Sequence, residues 1–76
     1  MSIWDEEIDA RGLLCPLPVL RLRKRMKGLA AGQTVRLLAD DPAAVIDVPH
    51  YCAESGASLI ERSEDAGTQV YLIRKA

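Results

Sequence analysis

Polar and apolar residues alternate through Glu7-Ile8-Asp9-Ala10, the period-two signature of a short, half-buried strand. Arg11-Gly12-Leu13-Leu14 breaks the alternation and reads as a loop, with Gly12 free to take a positive φ. From Pro16 the period lengthens. Val19, Leu22 and Met26 fall at i, i+3 and i+7, with Leu29 one step further and Leu20 beside the stripe, which predicts an amphipathic helix. Pro16 and Pro18 suit its first turn, where amides have no intrahelical acceptor, and Gly28 and Gly32 mark its exit. Residues 34–39 predict a second strand, with Val35, Leu37 and Ala39 toward the core and Thr34, Arg36 and Leu38 on a wetter side. Asp40-Asp41-Pro42 is a helix-start signal, an aspartate N-cap with proline at the first helical position. The helix it opens runs toward Glu54, and Ser55-Gly56 stops it. Pro49 lies inside this helix and removes the bond to the Val45 carbonyl, so a kink or break is expected there. Residues 57–64 and 68–74 predict two further strands joined by a hairpin turn at Asp65-Ala66-Gly67.

The element order is therefore βαβαββ. Strand–helix–strand units connect by right-handed parallel crossovers, so two in succession place both helices on one face of the sheet. The expected fold class is α+β: a two-layer α/β sandwich with a mixed four-stranded sheet whose last strand is antiparallel. No linker, repeat or low-complexity segment divides the 76 residues, so one domain over residues 1–76 is expected.

Composition narrows what such a chain can do. A domain this small leaves little interior for a substrate cavity, which puts any chemistry at the surface or in a partner's pocket. There is no Phe, so the core rests on aliphatic residues. The formal net charge of −1 excludes a globally basic nucleic-acid binder. No apolar run reaches the length of a membrane span, and the acidic start Trp4-Asp5-Glu6-Glu7 is unlike a targeting peptide, so the expected compartment is the cytoplasm. Trp4 is assigned to a frayed terminus without a role. Two cysteines and one histidine, with no CxxC, do not make a structural zinc site, and no metal or cofactor is expected. A reducing compartment argues against a structural disulfide, so Cys15 and Cys52 are judged separately.

Cys15 follows a loop and precedes the helix that Pro16 opens. At the positive end of a helix dipole, with first-turn amides aimed at sulfur, a thiol is expected to ionise near neutral pH. Pro16 and Pro18 stiffen the turn, Gly12 shapes the approach, and Arg11 adds positive potential. The competing reading, a small buried hydrophobe at a helix start, is equally open on these features alone. His50, on the second helix, has no visible relation to Cys15. A nucleophile with no base of its own and no pocket suits thiol exchange on a sulfane sulfur better than hydrolysis. Cys52 shares a register with Val45 and Val48 and reads as core. Arg21, Arg23, Lys24, Arg25 and Lys27 form a basic cluster on the exposed sides of the first helix, and no aromatic residues interleave with them as single-strand stacking requires.

Cys15-Pro16-Leu17-Pro18 matches the CPxP signature of the TusA/SirA family of small sulfur carriers. The resemblance extends to Asp9-Ala10 and Gly12 before the cysteine. It continues through Asp40-Asp41-Pro42-Ala43, Asp47-Val48-Pro49 and Tyr51-Cys52, and ends in Tyr71-Leu72-Ile73-Arg74-Lys75, nearly the whole chain. It implies a βαβαββ sandwich whose motif cysteine, Cys15, accepts sulfur as a persulfide. The donor would be a cysteine desulfurase or a rhodanese-type sulfurtransferase. A downstream acceptor protein would take the sulfur toward tRNA thiolation, molybdenum cofactor or sulfur oxidation. Arg11, Leu17, Arg21, Lys24 and Arg25 are the candidate partner-docking residues, and direct contact with nucleic acid is not expected. Leu17 departs from the acidic residue that tRNA-thiolation members carry, so the identity of the relay stays open. Two other readings stand beside this one: a non-catalytic regulatory or RNA- or protein-binding module using the basic helix, and a redox protein cycling Cys15 with Cys52.

Overall fold

The computed structural model describes residues 4–76. Its elements follow the expected order: β1 (Glu6–Asp9), α1 (Leu17–Met26), β2 (Thr34–Ala39), α2 (Ala44–Ser55), β3 (Ser58–Asp65) and β4 (Thr68–Arg74). The sheet order is β1-β2-β4-β3, with β1 parallel to β2 and both β2 and β3 antiparallel to β4. The crossover through α2 thus skips one strand position, and β4 folds back into the gap. Ala66 at φ 50 and Gly67 at φ 85 make the hairpin turn between β3 and β4. Both central residues are left-handed, as a two-residue turn between twisted strands requires.

The helices cover the face bearing Ile8, Val35, Leu37, Ala39, Tyr71 and Ile73, and they contribute Leu22, Met26, Val48, Tyr51 and Cys52 to the same buried cluster. The aliphatic core expected from the missing Phe is completed by the two tyrosines. Cys52 packs there as expected, whereas Val45 faces outward and is 39% exposed. Leu38 points to the uncovered face yet is buried, in a central strand between Asp9 of β1 and Val70 of β4.

Three local expectations are corrected. First, α2 is not broken at Pro49: it runs from Ala44 to Ser55 with the proline inside. The carbonyl that Pro49 cannot serve, that of Val45, accepts a long bond of 3.5 Å from Arg62 Nη1 on β3, so a side chain replaces the missing backbone donor. Second, neither Asp40 nor Asp41 caps α2. The N-cap is Ala43, without a side-chain bond, because both carboxylates are engaged elsewhere. Third, Trp4 is not a loose end. It is partly buried, with the Arg36 guanidinium 4.6 Å from its ring centroid, and Asp5 beside it exchanges bonds with Thr34 of β2.

Candidate functional site

Because β1 and β2 are parallel neighbours, the loops leaving their C-terminal ends meet at one edge of the molecule. One loop carries Gly12 and Cys15, the other Asp40 and Asp41. The Gly12 amide donates to Asp40 Oδ1 at 3.0 Å, and the Cys15 amide donates to Asp41 Oδ2 at 2.9 Å. Adjacent carboxylates of one dipeptide therefore grip the cysteine loop at two points. Gly12 holds φ +80 with open space where a Cβ would stand, so backbone conformation rather than crowding calls for glycine there. The Cys15–Pro16 peptide is cis.

Asp41 is itself anchored from below. It is buried, and its carbonyl accepts from Gln69 Nε2 at 2.9 Å, while Gln69 Oε1 accepts from the Tyr71 hydroxyl at 2.6 Å. A chain of hydrogen bonds thus runs from the centre of the sheet to the backbone of Cys15. Pro18, in the first turn of α1, is fully buried and seats the helix start, while Cys15 and Pro16 stay exposed.

The thiol is not activated as its position at a helix start predicts. Pro16 and Pro18 have no N–H to offer, and the Leu17 amide is taken by the Leu14 carbonyl at 2.9 Å. The Cys15 Sγ–H instead donates to Asp47 Oδ2 at 3.0 Å, across from α2. That bond, with some desolvation and the charges of Asp47 and Asp41, raises the Cys15 pKa above its ordinary value. Arg11 is paired with Asp9 through two side-chain bonds of 2.9 Å, which hold the Asp9 carboxyl at about 2. Burial pushes the Cys52 thiol up as well.

Cys15 borders a shallow depression of about 190 Å³ shared with Arg23, Asp47, His50, Tyr51 and Glu54. His50 thus stands on the same depression, with Nε2 3.1 Å from Glu54 Oε1. A roomier depression of about 290 Å³ adjoins it through Arg23 and Tyr51 and carries Lys27 and Lys75, but no thiol. On the other flank, Leu14, Leu17 and Leu20 are all about half exposed or more, and Leu17 and Leu20 share a hollow with Arg21 and Lys24.

The basic cluster of α1 is split by this arrangement. Arg21 Nη1 donates to the Asp9 carbonyl and Arg25 Nη2 pairs with Glu6 at 2.8 Å, so both lean on β1. Arg23, by contrast, lies over the Tyr51 ring at 5.2 Å, beside the thiol. Sequence reading therefore missed Arg23 as a neighbour of Cys15, along with Asp40, Asp41, Asp47 and Gln69. One signal was available: in a parallel βαβ pair, an Asp-Asp dipeptide just past the second strand adjoins the loop past the first. Among the described residues no group of acidic, His and Cys side chains is arranged to hold a metal ion, and no helix is long and apolar enough to cross a membrane.

The chain as a whole is similar to known proteins. A family model described as Sulfurtransferase TusA matches residues 6–75. A sulfur carrier protein TusA from Allochromatium vinosum is 38% identical over 76 residues, the whole of both chains. Another from Pseudomonas entomophila is 44% identical over 73 residues, 96% of this chain and 91% of that one. The crystal structure of a SirA-like protein from Desulfitobacterium hafniense matches with a TM-score of 0.83 and 29% identity, over 92% of this chain and 96% of the other.

Proposed function

Because this chain belongs to the TusA family of sulfur carriers, we propose that Cys15 is the residue that holds the sulfur, as a persulfide. The observation that carries this reading is an exposed thiol on a loop pinned at Gly12 and Cys15, beside a depression too shallow to enclose a substrate. Such a sulfur is presented to another protein. In the transfer the Cys15 thiolate attacks the outer sulfur of a donor persulfide. The new S–S bond forms as the donor's S–S bond breaks, and the donor cysteine leaves as thiolate and takes up the proton that Cys15 gave. Delivery is the same step in reverse order, with an acceptor thiol or enzyme as attacking group. In both steps the outer sulfur is attacked and only the attacking and leaving thiolates change places, so no net oxidant or reductant is consumed.

Partners of this chemistry are a cysteine desulfurase or rhodanese-type donor and a downstream acceptor protein. Leu14, Leu17 and Leu20 with Lys24 offer an apolar, cation-edged surface next to the sulfur for docking. Exposure of the purified protein to a persulfide donor, followed by intact-mass measurement, tests the reading. The parent protein should gain the mass of one sulfur atom and Cys15→Ser should not. Equal gain in both would move the sulfur to Cys52 or elsewhere and end the assignment.

A further inference from the structure

Asp47 has no part in the transfer as written above, yet it touches the reacting atom. It is half-buried in the first turn of α2, and its Oδ2 accepts the Cys15 Sγ–H at 3.0 Å. The other charged or titratable groups around the sulfur have partners elsewhere. On the loop after β2, the Asp41 carboxylate takes the Cys15 amide. On α1, Arg23 lies over Tyr51, and on α2 His50 pairs with Glu54. On the cysteine's own loop, Arg11 pairs with Asp9. Asp47 is thus the group that meets the thiol directly, and among the described residues no cation is bonded to the sulfur.

We propose that Asp47 is a positioning residue that clamps the Cys15 thiol against α2 and keeps its proton in place while the carrier is free. This deepens the carrier reading and rests on it for its meaning in the transfer. A carboxylate is a far weaker base than a thiolate, so an S–H···carboxylate bond leaves the proton on sulfur. A negative charge on sulfur beside Asp47 and Asp41 is opposed by both. The clamp fixes where the sulfur points and holds it as a poor nucleophile toward stray electrophiles.

The rate of Cys15 alkylation by iodoacetamide, followed by mass spectrometry from neutral to alkaline pH, reads this directly. In the unmodified protein the midpoint should lie above that of an unstructured cysteine peptide. Asp47→Asn, which keeps an acceptor but removes the charge, should lower the midpoint and alkylate several-fold faster at neutral pH, with the rates converging at alkaline pH. Glu54→Gln removes a carboxylate of the same depression that does not touch the sulfur, and should follow the parent. A parent midpoint at or below that of the peptide, or an Asp47→Asn profile that overlays the parent, overturns the proposal. If Asp47→Asn fails to fold, the comparison of parent with peptide decides. Sulfur uptake from glutathione persulfide, measured in parallel, should also be faster in Asp47→Asn at neutral pH, and equal rates count against the clamp. If neither protein takes up sulfur, the carrier reading falls while the alkylation profile still decides the role of Asp47.

Discussion

At the scale of single residues, the site is organised by carboxylates more than by cations. Asp40 and Asp41 each accept an amide of the cysteine loop, Asp47 accepts the thiol, and Asp9 ties down Arg11. Asp41→Ala leaves the Cys15 amide without its acceptor in a partly buried place. It should cost about 1–3 kcal/mol, read as a lower urea midpoint at unchanged slope. Asp9 offers a pH test. Its carboxyl is held at about 2 by the Arg11 bonds, below its unfolded value, so its stabilising contribution is present above the ordinary carboxylate range and is lost as pH falls through about 2. A carbon-detected NMR titration should find that midpoint, and Arg11→Ala should return it to the ordinary range. For Cys15 the sign is reversed. A raised pKa favours folding below the ordinary thiol range and ceases to do so as pH climbs past the folded value. None of these carboxylate contacts was legible from the sequence, because a carboxylate's partner is set by which loops meet rather than by its neighbours in the chain.

At the scale of elements, periodicity located both helices and all four strands, with boundaries moved by one or two residues. What it did not resolve was the use of particular residues at the ends and interruptions. Asp-Asp-Pro has the composition of a helix cap, but the carboxylates had stronger calls on them across the loop. Pro49 reads as a breaker until β3 brings Arg62 to the orphaned Val45 carbonyl. The hairpin turn was legible in type, and its geometry makes a prediction. Ala66 carries a side chain at φ 50, which costs an L-residue about 1–2 kcal/mol. Ala66→Asn, whose side chain tolerates that region, should stabilise the fold and raise Tm by a few degrees in a thermal melt. A melt unchanged or lowered would show that the turn relaxes at no cost.

At the scale of the whole molecule, nearly all the apolar burial lies between the sheet and its two helices, centred on Leu37 and Tyr71. Alternation along β2 foretold this face, and Leu37→Ala should cost about 2–5 kcal/mol by urea unfolding. The opposite face was expected to be partly wet and is so, since Trp4 folds back over Arg36 beside Val70 and Leu72. A lone terminal aromatic gives no periodic signal, so its place could not be read from the chain. The hydrogen-bond chain from Tyr71 through Gln69 and Asp41 to the Cys15 amide spans these scales. Its consequence is a loop whose tip is exposed but whose backbone opens only when buried structure opens. In deuterium labelling, the Cys15 amide should exchange with the slow amides of β2 and β4 rather than with its exposed neighbours. Gln69→Leu, which cuts the chain in the core, should release that one loop amide to fast exchange while most of the sheet stays protected.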